Sequence, residues 1–319
     1  MTAPAEIEIG LNAAIVAINA RTPRLLVVGE DGNALDALPF GPFDPNRHRT
    51  MEMSLRHTVE AQTALELGYI EQLYTFGDRG RHKMPGDQGP HVVSVGYLAL
   101  TRLDTDGDAR LELSGARWRD WYGYLPWEDW RQGRPALLDR VILPALTSWA
   151  EETSASSRRS RLRLAFGLDD FPFDEEHVLE RYELLYEAGL VEEAVQDGRV
   201  ERCRTTVTLG RPMRHDHRRI AATALARLRS KIKYRPVIFE LMPPEFTLTE
   251  LQGTVEAIAG HHVHKQNFRR LVDGAELVEP TGSTQAATGG RPAALFRFRR
   301  QVLEERPAPG LKVGGRTSG

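Results

Sequence analysis

Cysteine is almost missing from this chain. Cys203 stands alone among 319 residues, so no internal disulfide and no cysteine-based zinc cluster can form, and the expected compartment is a reducing cytoplasm. Long apolar runs are missing as well. No stretch approaches the roughly eighteen residues that a membrane helix needs, and the start Glu6-Ile7-Glu8 lacks the basic and apolar regions of a signal peptide. No membrane partner is therefore expected. Strong net charge is the third absence, since the formal balance is −2. That near-neutrality conceals a division: residues 214–319 hold 18 Lys/Arg against 10 Asp/Glu, whereas the preceding chain holds 24 against 34. A basic end on an acidic body fits a protein that touches a polyanion with one part only, although solvated surface charges can also segregate by chance. At 41% hydrophobic and 27% charged, the composition is globular, and the length suggests two domains.

The basic end has the most readable stretch, Phe246 to Arg300. Thr247 and Glu250 have the spacing of a capping box, Leu248, Leu251, Val255 and Ile258 recur at helical spacing, and Gly260 stops the helix. His261 to His264 make the turn. In a second helix Phe268, Leu271 and Val272 share one face, so Gln266, Asn267, Arg269 and Arg270 point away from it. A Gly/Thr-rich hairpin follows, ending in Ala294-Leu295-Phe296-Arg297-Phe298. This order is a winged helix-turn-helix. Asn267 and Gln266 suit adenine edges, Arg269 and Arg270 suit guanine or phosphate, Lys265 suits the backbone, and Arg291 beyond the wing tip suits the minor groove or phosphate. The other reading of the same face is a solvated surface on a protein–protein winged helix. Pro307 to Gly319 have no apolar pattern, and residues 303–319 are expected to be a disordered tail.

Earlier in the chain, Gly10 to Asn19 reads as a buried strand and Leu25 to Gly29 as its hairpin partner, with a further turn at Asp31-Gly32-Asn33. A helix is expected from a cap at Ser54 to about Leu67, stopped by Gly68. Tyr69 to Arg79, a Gly/Pro-rich loop to Pro90 and a strand from His91 to Leu103 follow. Trp118, Trp121, Tyr122, Tyr124, Trp127 and Trp130 then crowd together; they suit either adenine stacking or the filling of a core or interface. Helices are expected over Arg134 to Glu152 and Glu175 to Ala188, with a polar, basic break over Ser154 to Arg163 between them. Cys203 to Leu209 reads as a strand and Asp216 to Tyr234 as a helix, with Asp216-His217 in a capping role. His215, His217, His261, His262 and His264 lack the paired spacing and acidic partner of a metal site.

The tyrosine-rich Tyr69 to Arg79 segment and the phrases Phe246-Thr247-Leu248-Thr249-Glu250-Leu251-Gln252, Asn267-Phe268-Arg269-Arg270 and Gly290-Arg291-Pro292-Ala293 resemble the Nudix-related transcriptional regulators, or NrtR-type family. With its long middle, the chain looks most like the NadQ-type branch, repressors of NAD synthesis genes. The resemblance implies an α+β chain: a Nudix-like α/β/α sandwich over 1–234, with an aromatic-rich insertion at about 104–213, then a winged helix domain over 235–302. It also implies a homodimer on palindromic operator DNA and an adenine nucleotide effector, whether NAD, ATP or ADP-ribose.

The Nudix box G-x5-E-x7-R-E-U-x-E-E-x-G-U, with U apolar, places carboxylates on one helix face to hold divalent metal beside a diphosphate. Set against Glu66-Leu67-Gly68-Tyr69, its R-E pair becomes Ala61-Gln62, the first glutamate of its E-E pair becomes Leu65, and its earlier glutamate becomes Met53. Only Glu66 and Gly68 survive. The expectation is a site that binds without cutting, with no catalytic residue, no metal site and no required cofactor. Arg47 and Arg49 before the helix, and Arg79 and Arg81 with His82 and Lys83 after it, are candidates for the phosphates, or else solvated basic loops. The alternative function is an active hydrolase of ADP-ribose or a related nucleoside diphosphate with an accessory nucleic-acid-binding domain. A purely structural interaction protein is a third.

Overall fold

The computed structural model describes residues 6–19, 21–29, 35–78, 89–103, 111, 113–152, 156–285, 292–305 and 310–311. Its organising element is β1 (Ile7–Asn19), in which Gly10 to Ala17 are all buried, Asn12 being the one polar side chain among them. A strand with helices on both faces reads as a nearly continuous apolar run, and β1 does so. It pairs antiparallel with β2 (Thr22–Val28), making the expected hairpin. It also pairs antiparallel with β3 (Phe40–Pro42) and parallel with β5 (His91–Leu100). With β4 (Tyr69–Phe76) and β6 (Ala116–Asp120) the strand order is β4-β5-β1-β2-β6, with β3 beside β1.

Side chains alternate across this sheet and so feed two cores. On one face Leu11, Ala13, Ile15, Leu26, Val95 and Ala99 pack with Leu55 and Val59 of α1 (Met51–Thr63). On the other, Ala14, Val16, Leu25, Val27 and Leu98 join Ile220, Leu225 and Leu228, and the helices of the middle region. Those helices are α2 (Leu143–Glu151), α3 (Ser156–Phe166), α4 (Val178–Glu187), α5 (Glu192–Gln196) and α6 (His217–Lys231). The result is the expected α/β/α sandwich. The C-terminal part comprises β7 (Phe246–Thr247), α7 (Leu248–Ala259), α8 (Lys265–Ala275), β8 (Val278–Gln285) and β9 (Ala293–Phe298), with the short α9 (Val302–Glu305) behind it. Its sheet has the order β7-β9-β8, that of a winged helix.

Several local expectations need correction. Helix α1 is capped by Thr50, whose hydroxyl accepts from the Met53 N–H, and it ends at Ala64 in the left-handed region, φ 54°. Ser54 is buried inside it. Ser156 to Phe166 is helix rather than break, because Leu162, Ala165 and Phe166 find a buried face while the arginines stay in solvent or pair there. Cys203 to Leu209 forms no strand; its polar residues stay at the surface, and only Leu209 is buried. Ahead of α2, Leu138–Ile142 is wound as a π-helix, and Pro144 just beyond has no N–H to offer the carbonyl four residues back. Within the tail expected to be disordered, Leu311 is buried and its N–H donates to the Ile232 carbonyl at 2.9 Å. The turn at Asp31-Gly32-Asn33 lies outside the described residues.

Four of the six crowded aromatics are core, while Trp118 and Trp130 are half-buried at its edges. Trp121, Tyr124 and Trp127 are completely buried, Tyr122 nearly so, and all four belong to the apolar cluster shared with α6 and the winged helix. Adenine stacking on their faces is therefore closed off.

Candidate nucleic-acid interface

Helix α7 opens with the capping box. The Thr247 hydroxyl accepts from the Glu250 N–H at 3.2 Å, and the Glu250 carboxylate accepts from the Thr247 N–H at 2.7 Å. It closes at Gly260, φ 73°, a conformation that L side chains rarely adopt. Its inner face, Leu248, Leu251, Val255 and Ile258, is buried. In α8, Phe268 and Val272 are the buried anchors. Lys265, Gln266, Asn267 and Arg270 are exposed, and the Arg270 guanidinium donates to the Asn267 side-chain oxygen at 3.0 Å. Among the described residues neither Lys265 nor Arg270 has a carboxylate partner. Four exposed donors and acceptors on one rigid helix face can meet base edges and phosphates. Arg269 departs from this group: it is half-buried, and its guanidinium reaches back to the Thr249 hydroxyl at 3.4 Å, toward α7. The wing is the β8–β9 hairpin, and its tip with Arg291 lies outside the described residues.

The turn between the two helices is pinned by a residue not singled out from sequence. Glu256 is nearly buried, and its carboxylate accepts from the Val263 N–H at 3.0 Å and from Gln252 at 2.9 Å, with His262 Nδ1 at 3.0 Å. Burial alone would raise its pKa, but the hydrogen bonds from Val263, His262 and Gln252 outweigh this and hold it below the ordinary range. The signal was present in the Gln252–Glu256 spacing of four, just before the helix-stopping Gly260. His261 to His264 form the expected turn. The histidine at the start of α6 has a structural role: buried His217 accepts at Nδ1 from the Leu38 N–H at 3.0 Å, which leaves Nε2 to donate to the Asn12 side-chain oxygen at 2.9 Å. Asp216 occupies the N-cap position of α6 without capping; its carboxylate takes Arg219 instead at 3.0 Å. Among the described residues no three His, Cys, Asp or Glu are placed together to hold a metal ion.

At the Nudix-like end, Gln62 stands where the box has a glutamate. Its amide both donates to the Phe40 carbonyl, at 2.7 Å, and accepts from the Phe40 N–H, at 3.1 Å, tying α1 to β3. An ionised carboxylate could only accept there. Arg56, on the same helix, pairs with Glu52 and donates to the carbonyls of Leu67 and Gly68. This guanidinium ties α1 to the segment that leads into β4. Glu66 is exposed and lies beyond the end of α1, whereas Arg47 and Arg49 are exposed before its start. A 13-residue helix, about 20 Å long, separates the two groups, so they do not converge on one phosphate. Arg79 and Arg81, with His82 and Lys83, lie outside the described residues.

The class that the fold defines is a Nudix-like sandwich followed by a winged helix with an exposed, cation-bearing second helix. The family model for the NrtR DNA-binding winged helix domain matches residues 238–298. The ADPR responsive transcriptional repressor NtrR of Acinetobacter baylyi is 46% identical over 83 residues, which are 26% of this chain and 33% of the relative. The match thus spans one third of that relative's length. Among solved structures, Shewanella oneidensis NrtR complexed with a 27mer DNA aligns over 93% of this chain and 95% of its own, at TM-score 0.55 and 19% identity. A MutT/nudix family protein from Enterococcus faecalis aligns over 94% of this chain and 89% of its own, at TM-score 0.51 and 16% identity. At such identities these two likenesses concern the fold. The resemblance to the Nudix-related regulators is borne out, in the winged helix by sequence and across both domains by fold.

Proposed function

We propose that the protein is a ligand-responsive transcriptional repressor of NAD biosynthesis and metabolism genes. It binds operator DNA through α8 and senses an adenine nucleotide in its Nudix-like domain without hydrolysing it. One observation carries the reading: an NrtR-type winged helix with exposed Lys265, Gln266, Asn267 and Arg270 is joined to a Nudix-like domain whose helix α1 has Met53 and Gln62 at positions where the Nudix box has glutamates. Hydrolysis of a diphosphate requires carboxylates to fix hard cations and activate water.

One recognition helix reads few base pairs, so the working unit is a homodimer on a palindrome, with half-sites spaced by whole helical turns. Arg291 on the wing supplements α8, and Arg269 contributes from its flank. Arg47 and Arg49, with Arg79 and Arg81, are the candidates for the effector's phosphates, and Glu66 for its hydroxyls. The NadQ-type likeness supplies the regulated genes and the cytoplasmic setting. The name of the Acinetobacter relative makes ADP-ribose the first nucleotide to try, ahead of NAD and ATP.

The test is fluorescence polarisation on a labelled fragment from the gene's own upstream region, titrated with ADP-ribose, NAD and ATP. Specific binding that shifts with one of the nucleotides is expected. Binding that ignores all three would sink the sensor reading, and magnesium-dependent release of product from ADP-ribose would replace it with the hydrolase.

A further inference from the structure

The two parts of the chain meet at the C-terminal end of α7, just before the recognition turn. The last carbonyls of a helix lack intrahelical partners, and here the body supplies them. The Tyr122 hydroxyl donates to the Ala257 carbonyl at 2.8 Å, Arg229 Nε to the Ile258 carbonyl at 3.0 Å, and the Trp130 N–H to the Gly260 carbonyl at 2.7 Å. A cation at this end also complements the helix dipole. Gly260 is pressed against the same group; a Cβ there would stand 2.5 Å from the Glu128 carbonyl and 2.6 Å from the Arg229 guanidinium.

Behind Arg229 is a buried charge cluster. Glu128 accepts from Arg229 Nη1 at 2.6 Å and from Arg181 Nε at 2.6 Å, and all three side chains are at most 1% exposed. Arg181 donates onward to the carbonyls of Ala165 and Asp174, both at 2.8 Å. The insertion therefore clamps the end of α6 to the end of α7.

The other end of α6 leads back to the Nudix-like helix. His217, its first residue, takes the Leu38 N–H and packs edge-on against Phe40, with ring centroids 5.1 Å apart; the backbone of Phe40 holds Gln62 of α1. Side chains and hydrogen bonds thus run unbroken from α1 through Phe40, His217 and α6 to Arg229 and the turn that carries α8. Contiguity alone is not coupling, but α6 is a single 15-residue helix, about 22 Å long, with both ends held by buried contacts.

We propose that α6 is the strut through which occupancy of the Nudix-like site reaches the reading helix, with His217 and Arg229 as positioning residues at its two ends; this rests on the sensor reading above. The insertion then has a role: it converts a loose two-domain joint into a clamped one.

The test compares wild type, Arg229→Gln and Tyr122→Phe. Affinity for the labelled upstream fragment is measured without nucleotide and at saturating ADP-ribose, NAD and ATP, while nucleotide binding is followed separately by thermal shift. In the wild type the active nucleotide should change DNA affinity at least about fivefold, the low end of ordinary coupling. Both variants should still bind nucleotide and DNA, with that factor reduced toward one. Variants that respond like the wild type would overturn the strut alone. An unresponsive wild type would overturn the sensor reading and the strut with it. Should Arg229→Gln fail to fold, Tyr122→Phe decides, since it removes one hydroxyl without leaving a buried charge.

Discussion

Arginine serves opposite ends in the two halves of this molecule. In the body, Arg181 and Arg229 are buried side chains that share one carboxylate and donate to several carbonyls. In the winged helix, Arg270 is exposed and, among the described residues, donates to the neighbouring Asn267 alone. The difference lies in solvation. A guanidinium removed from water must have its charge and its five donors satisfied in place, which makes it a rigid structural member. One left in water keeps its donors for an external anion.

The sharpest way to break that comparison is to remove the carboxylate that makes the buried arrangement tolerable. Glu128→Gln leaves two buried guanidiniums facing each other and should cost about 3–5 kcal/mol in urea unfolding. An unchanged unfolding free energy would mean that the cluster is not what holds the body together. The same carboxylate has a pH signature. Burial would raise its pKa, but Arg181 and Arg229 overcome that and lower it from 4.5 to about 2. A depressed carboxylate contributes fully above its unfolded pKa and loses its contribution as pH falls. Wild type should therefore lose stability between about pH 4.5 and pH 2, and Glu128→Gln should lack that component.

On the exposed side, Asn267→Ala combined with Arg270→Ala should leave stability within about 0.5 kcal/mol of wild type. Each lost base contact should nevertheless cost about 1–3 kcal/mol of DNA binding in a gel shift. Retained specific binding would place the reading surface on another face. The smallest effect concerns the head's own scaffold: Thr247→Ala removes one half of the capping box and should lower stability by about 1 kcal/mol in the same urea assay. A cost near that of Glu128→Gln would erase the contrast between the buried cluster and the exposed head.

The winged helix was legible because its signals are local. The capping box, the Gly260 stop and the Phe268–Val272 anchors each act over a few residues, and each appears where its spacing places it. The start of α1 was misread because Thr50 and Ser54 are equally good caps in isolation; burial of Ser54 decides between them. The run from Ser154 to Arg163 was misread because a helix with few apolar residues takes its stability from docking, which spacing does not report. Within the site, exposed Lys265, Gln266, Asn267 and Arg270 were foreseen from the helical rotation, whereas the backward turn of Arg269 toward Thr249 depends on a neighbouring helix.

What the amino-acid order determined by itself is the chemistry available at each end: a basic face on α8, and Met53, Gln62 and Leu65 where a hydrolase needs carboxylates. Those are properties of residue type and short-range spacing. Only the tertiary structure decided that Trp121, Tyr122, Tyr124 and Trp127 are core, that Gln62 is engaged by Phe40, and that Arg229 closes the end of α7 from 29 residues away. Such pairings arise from the packing of distant segments, where the need to satisfy every buried charge and carbonyl selects partners that sequence separation conceals.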